Sequence, residues 1–350
     1  MQQKRIALIS AIFICLVVGT LLFLRYLLPP TTSISTNSTL TPIRIGWQIP
    51  WATQGQLVQV LKHSDILQSK GLEPEYKGFS YGGPLNEAAL ANGVDVVLTA
   101  DQPMATLLSK NPNWIIIGRL MYNRVSLYVP PNSPIQTTSD LKGKTVAMPF
   151  GAAAQRFAFF EQQRAGLSPE KDVKNRNLAM EEQAALLQDP RAKKWGDIDA
   201  LAGFDPYPAI FEDRGVIRTL SVGRIVSIIA ISKPFADAHP EAATQLRNAF
   251  AEAYSQYRTN PIQANQWFRD ESKLTASDSV LSLAASLEPN AAPSTTSEIR
   301  MTFTELDLAS LQEAADFLKN QGLITQEVIM KDHIDSSALP PKEATGTTAE

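Results

Sequence analysis

KGKTVAMPFGAAAQRFAFF, residues 142–160, is the stretch whose reading decides the fold class. Thr145, Val146, Ala147 and Met148 read as a short buried strand. Pro149 ends it, because proline cannot donate to a strand ladder. Gly151 permits a tight turn. Residues 152–160 have high helix propensity, with Phe157 and Phe160 spaced to pack inward. A strand thus runs through a small-residue loop into the first turn of a helix. That geometry leaves backbone N–H groups unpaired and aimed above the sheet, where they can hold an anion or a polar head group. The plain alternative is a strand-to-helix connection with nothing bound.

The flanking chain repeats the same unit. Upstream, residues 43–47, 72–79, 94–99 and 114–120 read as strands. Helical patterns lie between them at 54–68, 84–92 and 104–109, with Gly71 and Gly93 as stops. This alternation predicts a parallel α/β sheet. Residues 122–130 are strand-like with no helix before them. Downstream, a strand within 167–177, a helix over 181–188, a strand over 198–201 and a helix over 208–214 follow. Residues 216–222 and 225–232 are extended and apolar. From His239 the pattern is helical, over 240–257, 261–271, 277–287 and 306–320, and 328–334 is expected to pack back on the fold.

Composition narrows the function. The chain has 350 residues, enough for two lobes of ordinary domain size, and a formal net charge of −3. There is no basic surplus to suit nucleic acid. The one cysteine, Cys15, lies in the N-terminal apolar run, so the remainder has no thiol and no disulfide. His63, His239 and His333 lie far apart in sequence, which gives a zinc cluster little support; no metal and no cofactor is expected.

Residues 1–28 read as a targeting segment. Lys4 and Arg5 precede a run, residues 6–24, that is apolar apart from Ser10 and Thr20. The favoured reading is an uncleaved signal-anchor reaching the inner membrane through residues 6–28, its N-terminus cytoplasmic by the positive-inside rule. A cleaved signal peptide is the alternative, and both put the rest on the periplasmic side. Ile14 before Cys15 argues against lipidation. Residues 29–41 read as a linker rich in Ser and Thr, and 336–350 as a disordered tail.

At this point the order of segments resembles a known family. RIGW (44–47), GLEPEYKGFSYGG (71–83), ALANGVDVVLTADQP (89–103), SDLKGKTVAMPFGAAAQ (139–155), DALAGFDPYPA (199–209) and KPFADAHPEAA (233–243) follow one another as in the substrate-binding proteins of ABC importers. The branch is the one serving nitrate, sulfonates, taurine and thiamine-pyrimidine precursors. The resemblance covers about residues 42–335. It implies a two-lobed type II periplasmic-binding-protein fold with two crossing strands. Lobe one would be 42–123 with 225–335, and lobe two 124–224. It also implies a monomer that binds a small-molecule ligand by lobe closure, is not an enzyme, and works with an ABC permease and ATPase. A membrane-tethered solute sensor is one alternative. An enzyme resembling the thiamine-pyrimidine synthases is another, disfavoured because that branch depends on a cysteine-rich motif.

Ligands in open α/β sheets sit beyond the carboxyl ends of the strands. That rule selects Trp47, Gln48 and Trp51 after the first strand, with one of the two indoles expected in the core. It selects Tyr81 and Gly82 after the second, and Thr99, Asp101 and Gln102 after the third. Asn123 falls at the crossing. In lobe two it selects Phe150, Gly151, Ala152 and Ala153, and then Phe204, Asp205 and Tyr207. Arg156 adds charge one turn on, or, as arginine more often does, stands as a solvated surface residue. Asp101 has an equal alternative as the cap of the helix starting near Pro103, and Asp205 as the residue that fixes the turn before Pro206. Read as ligand groups, they put carboxylates in facing loops, and unpaired buried carboxylates are costly, so the expected ligand carries a cationic or donor-rich group beside an acceptor.

Overall fold

A computed structural model describes residues 40–292 and 298–340. The predicted targeting segment, most of the linker and the end of the predicted tail lie outside these residues. Among the described residues no helix is long and apolar enough to cross a membrane.

Eight strands form one sheet in the order β2-β1-β3-β8-β4-β7-β5-β6. They are β1 (Thr41–Gln48), β2 (Leu72–Phe79), β3 (Val96–Ala100), β4 (Trp114–Val129), β5 (Thr145–Met148), β6 (Lys174–Asn177), β7 (Ala200–Phe204) and β8 (Arg218–Ser232). The first βα units give α1 (Gln54–Lys62), α2 (Ile66–Ser69), α3 (Gly82–Leu90) and α4 (Asp101–Lys110). The later ones give α5 (Ala153–Arg164), α6 (Met180–Leu186) and α7 (Tyr207–Asp213). Then come α8 (Lys233–Ala238), α9 (Ala242–Thr259), α10 (Pro261–Ser272), α11 (Asp278–Ala284) and α12 (Glu305–Asn320).

The sheet is mixed, not parallel throughout. β1 pairs in parallel with β2 and β3, and β5 with β6 and β7. β4 and β8 run antiparallel to each other and to their flanking strands. The segments expected as separate strands at 114–120 and 122–130 are one strand, as are those at 216–222 and 225–232. The two long strands run through both halves of the sheet, one built on β1–β3 and the other on β5–β7. Where they pass between halves, Tyr122, Asn123 and Arg124 pair with Val226, Ile225 and Arg224. Register shifts beside Gly118 and between Arg119 and Met121 bend β4 just before that point. The helix expected over 54–68 is broken at 63–65, where the Ser64 hydroxyl donates to the Val60 carbonyl at 2.7 Å. Ile334 bridges in parallel to Ile116, so the C-terminal segment does return to the sheet.

A polar cluster packs where the long strands pass. Arg119 and Glu288, both fully buried, make a bidentate pair, and Glu288 also accepts from the Tyr122 N–H at 2.7 Å. The Tyr122 ring lies between the Arg119 and Arg224 guanidiniums, each 4.3 Å from its centroid. Its hydroxyl donates to Asp307 at 2.7 Å. Burial raises the Asp307 carboxyl, but hydrogen bonds from the Thr304 backbone, Tyr122, the Thr304 hydroxyl and Arg300 outweigh it and hold the group below the usual carboxylate range. A lowered folded-state pKa gives stability that is present above the unfolded value and lost as pH falls. The stability gap between the native chain and Asp307→Asn is therefore expected to be full at neutral pH. It should shrink as pH falls below 3.8, the ordinary aspartate value. Urea unfolding across a pH series measures it, and a gap that stays constant through the acid range contradicts the assignment.

Candidate functional site

Two cavities that share Tyr81, Ala152 and Phe204 lie beyond the carboxyl ends of the strands. The inner one has walls from both halves of the sheet. Gln48, Trp51, Tyr81, Gly82 and Ala100 come from one half; Gly151, Ala152, Ala153 and Phe204 come from the other. The outer one is lined among others by Phe150, Tyr207, Met180 and Glu181.

Most of the strand-end selection meets here. Gln48, Trp51, Tyr81, Gly82, Phe150, Gly151, Ala152, Ala153, Phe204 and Tyr207 all line one cavity or both. Trp51 meets Phe204 edge-on across the inner cavity, ring centroids 6.1 Å apart. Trp47 is the indole that goes to the core, with the Lys62 ammonium 5.6 Å from its ring. Thr99, Asp101, Gln102, Asn123 and Asp205 are buried beside the cavities and line neither.

The two carboxylates correct the expectation placed on them. Asp101 is fully buried and pairs with Arg156 from the other half of the sheet, while also accepting from the Gln102 N–H at 2.7 Å. Arg156, read as a surface residue, is buried and reaches on to Glu313 at 3.3 Å. Asp205 is held by Arg124 at 2.6 Å and accepts from the Ala209 N–H at 3.0 Å. Burial pushes the Asp205 carboxyl up, and the Arg124 guanidinium opposes that shift. Neither carboxylate is unpaired, so neither demands a cationic ligand.

The α5 turn keeps only part of its donors: the Phe150 N–H is taken by the Asn177 side-chain carbonyl at 2.9 Å and the Gln155 N–H by the Ala152 carbonyl at 3.0 Å. The Gly151 N–H is taken by Gln155 at 2.9 Å. Ala153 and Ala154, the first two residues of α5, have no intrahelical acceptor for their N–H groups. The first residues of α3 and α4 reach the same cavity at Gly82 and Pro103. Nearby polar atoms lack a partner among the described residues: the Trp51 indole N–H, the Thr99 hydroxyl, the Asn123 side-chain carbonyl and both polar atoms of the Gln102 amide. Such groups are costly to bury unless something bonds them.

Gly82 is fixed by space. A Cβ there would stand 2.6 Å from Pro103 Cγ, and the rigid ring cannot swing away. Gly82→Ala is expected to cost about 1–3 kcal/mol by overpacking. Urea unfolding measures this, and an unchanged midpoint contradicts it.

The selection missed Asn177, the last residue of β6, Ala179 in the loop after it, and Glu181 at the start of α6. The same strand-end rule applies there, because residues 167–177 were already read as holding a strand. Burial and the Glu181 carboxylate push the Tyr207 phenol up, and its hydroxyl lies 3.4 Å from Glu181.

The sequence pattern of the NMT1-like family matches residues 36–267. A curated protein of Escherichia coli (strain K12), bearing the name of an aliphatic sulfonates-binding protein, is 26% identical over 244 residues. That match spans 67% of this chain and 72% of the relative. The crystal structure of the periplasmic aliphatic sulphonate binding protein SsuA from Escherichia coli superposes with a TM-score of 0.69 at 21% identity. It covers 88% of this chain and 95% of that one. The alkanesulfonate-binding protein SsuA from Xanthomonas axonopodis pv. citri, bound to MOPS, gives 0.68 at 19% identity over 84% of this chain and 98% of that one. These likenesses give the fold, an α/β periplasmic-binding-protein fold on a mixed sheet.

Proposed function

The chain belongs to the NMT1-like family, and from that premise we propose that it is the substrate-binding component of an ABC importer for an organosulfonate. The ligand sits between lobe one, residues 42–123 with 225–335, and lobe two, residues 124–224. The observation that carries this reading is the inner cavity. It joins the first turn of α5 to Trp51 across the two halves of the sheet, and no charged side chain lines it. A sulfonate fits such a lining. Its three oxygens accept from N–H donors, and helix N-termini favour negative charge. With Asp101 and Asp205 each neutralised by an arginine, and with no carboxylate in its lining, the inner cavity does not oppose an anion.

Contacts to both lobes stabilise the closed form, and ligand binding shifts the population toward it. The closed form then docks on a permease driven by an ATPase. The protein works as a monomer on the periplasmic side, delivered by residues 1–28 as anchor or cleaved signal.

Calorimetry with the full chain tests the reading. Ethanesulfonate is expected to bind at one site, about tenfold tighter than nitrate, because it buries two more carbons at ~0.8 kcal/mol each. Nitrate binding as tightly as ethanesulfonate, or no binding of ethanesulfonate, contradicts it.

A further inference from the structure

The outer cavity differs in chemistry from the inner one. Phe150, Tyr207, Tyr81 and Phe204 present four aromatic side chains, and Met180 adds a polarisable thioether. Tyr81 and Phe150, one from each half of the sheet, stay 43% and 41% exposed. Two large exposed rings facing one opening are unusual unless something covers them. Glu181 is the charged side chain in the lining. The shared walls, Tyr81, Ala152 and Phe204, make the outer cavity a continuation of the inner one.

We propose that the outer cavity is a subsite for a flat apolar substituent, so that the substrate class is arenesulfonates in preference to short alkanesulfonates. This rests on the organosulfonate reading above. The sulfonate lies at the α5 turn, and the ring extends between Tyr81 and Phe150 toward Tyr207. A phenyl group offers those rings a larger apolar face than an ethyl group does. Glu181 at the far end repels a second anionic group and accepts from a donor on the ring.

Titration calorimetry with the full chain separates the outcomes. Benzenesulfonate is expected to bind about 10- to 100-fold tighter than ethanesulfonate, the range set by burying one phenyl group. Benzene-1,4-disulfonate is expected to bind more weakly than benzenesulfonate, and Glu181→Gln narrows that difference. Phe150→Ala, at an exposed position, and Tyr207→Leu, which keeps an apolar filling, should each weaken benzenesulfonate several-fold more than ethanesulfonate. If ethanesulfonate binds as tightly as benzenesulfonate or tighter, the ring subsite is overturned and the organosulfonate reading stands. If neither sulfonate binds, both fall. If the disulfonate equals benzenesulfonate, the role given to Glu181 is overturned.

Discussion

Arg119→Ala is expected to lower the unfolding free energy by about 3–5 kcal/mol. The guanidinium is fully buried, and it makes two bonds to Glu288 and one to the Arg300 carbonyl at 3.0 Å. Truncation leaves the Glu288 carboxylate buried without its counter-charge. It also removes the cation that stacks on Tyr122, where β4 passes from one half of the sheet to the other. Two bonds to Glu288 survive, from the Tyr122 and Asn290 N–H groups, and they cannot supply the missing charge. The double variant Arg119→Met with Glu288→Leu is expected to recover only part of the loss: no charge is left buried, but the Tyr122 and Asn290 N–H groups lose their acceptor. Urea unfolding of the three chains measures both effects. A loss below about 1 kcal/mol for Arg119→Ala, the range of exposed pairs, contradicts this account.

Arg156→Ala is expected to cost a similar amount, about 3–5 kcal/mol, and also to weaken ethanesulfonate binding by at least about tenfold. Arg156 stands in the first turns of α5, and Asp101 opens α4 on the other half of the sheet. The bond to Asp101 carries the effect. Its second partner, Glu313, is half exposed and contributes little. Without Arg156, the buried Asp101 carboxylate stands uncompensated between Ala100 and Pro103, two lining residues of the inner cavity. An anion bound there is then repelled. Adding Asp101→Asn removes that charge and should restore much of the affinity while leaving the packing defect. Affinity unchanged in Arg156→Ala contradicts the placement of the anion; affinity not recovered in the double variant contradicts the electrostatic cause.

The strand-end rule made much of the cavity legible, because it needs only the order of strands and small-residue loops. Trp51 follows β1 and lines the cavity, whereas Trp47 lies within β1 and faces the core. The parallel expectation held within each half of the sheet, for β1–β3 and for β5–β7. It broke at β4 and β8, whose apolar runs carry no sign of direction. The partners of the two carboxylates were hidden for a different reason. Asp101 and Arg156 are 55 residues apart, and Arg124 and Asp205 are 81 apart. Local sequence shows a carboxylate in a loop, not the distant guanidinium that neutralises it. Reading both as free led to a cationic ligand. Pairing them removes the reason for one.

The central claim is that N–H donors at the start of α5 hold the anionic group, and one substitution isolates it. Ala153 is the first residue of α5, where proline is well tolerated. The preceding residue, Ala152, already has the extended backbone that proline requires, with φ −98° and ψ 162°. Ala153→Pro therefore removes one donor while keeping the helix. Calorimetric titration of Ala153→Pro with ethanesulfonate is expected to show affinity lower by about 10- to 100-fold, the worth of a hydrogen bond to a charged group, with thermal stability little changed. Affinity equal to that of the native chain would contradict the account.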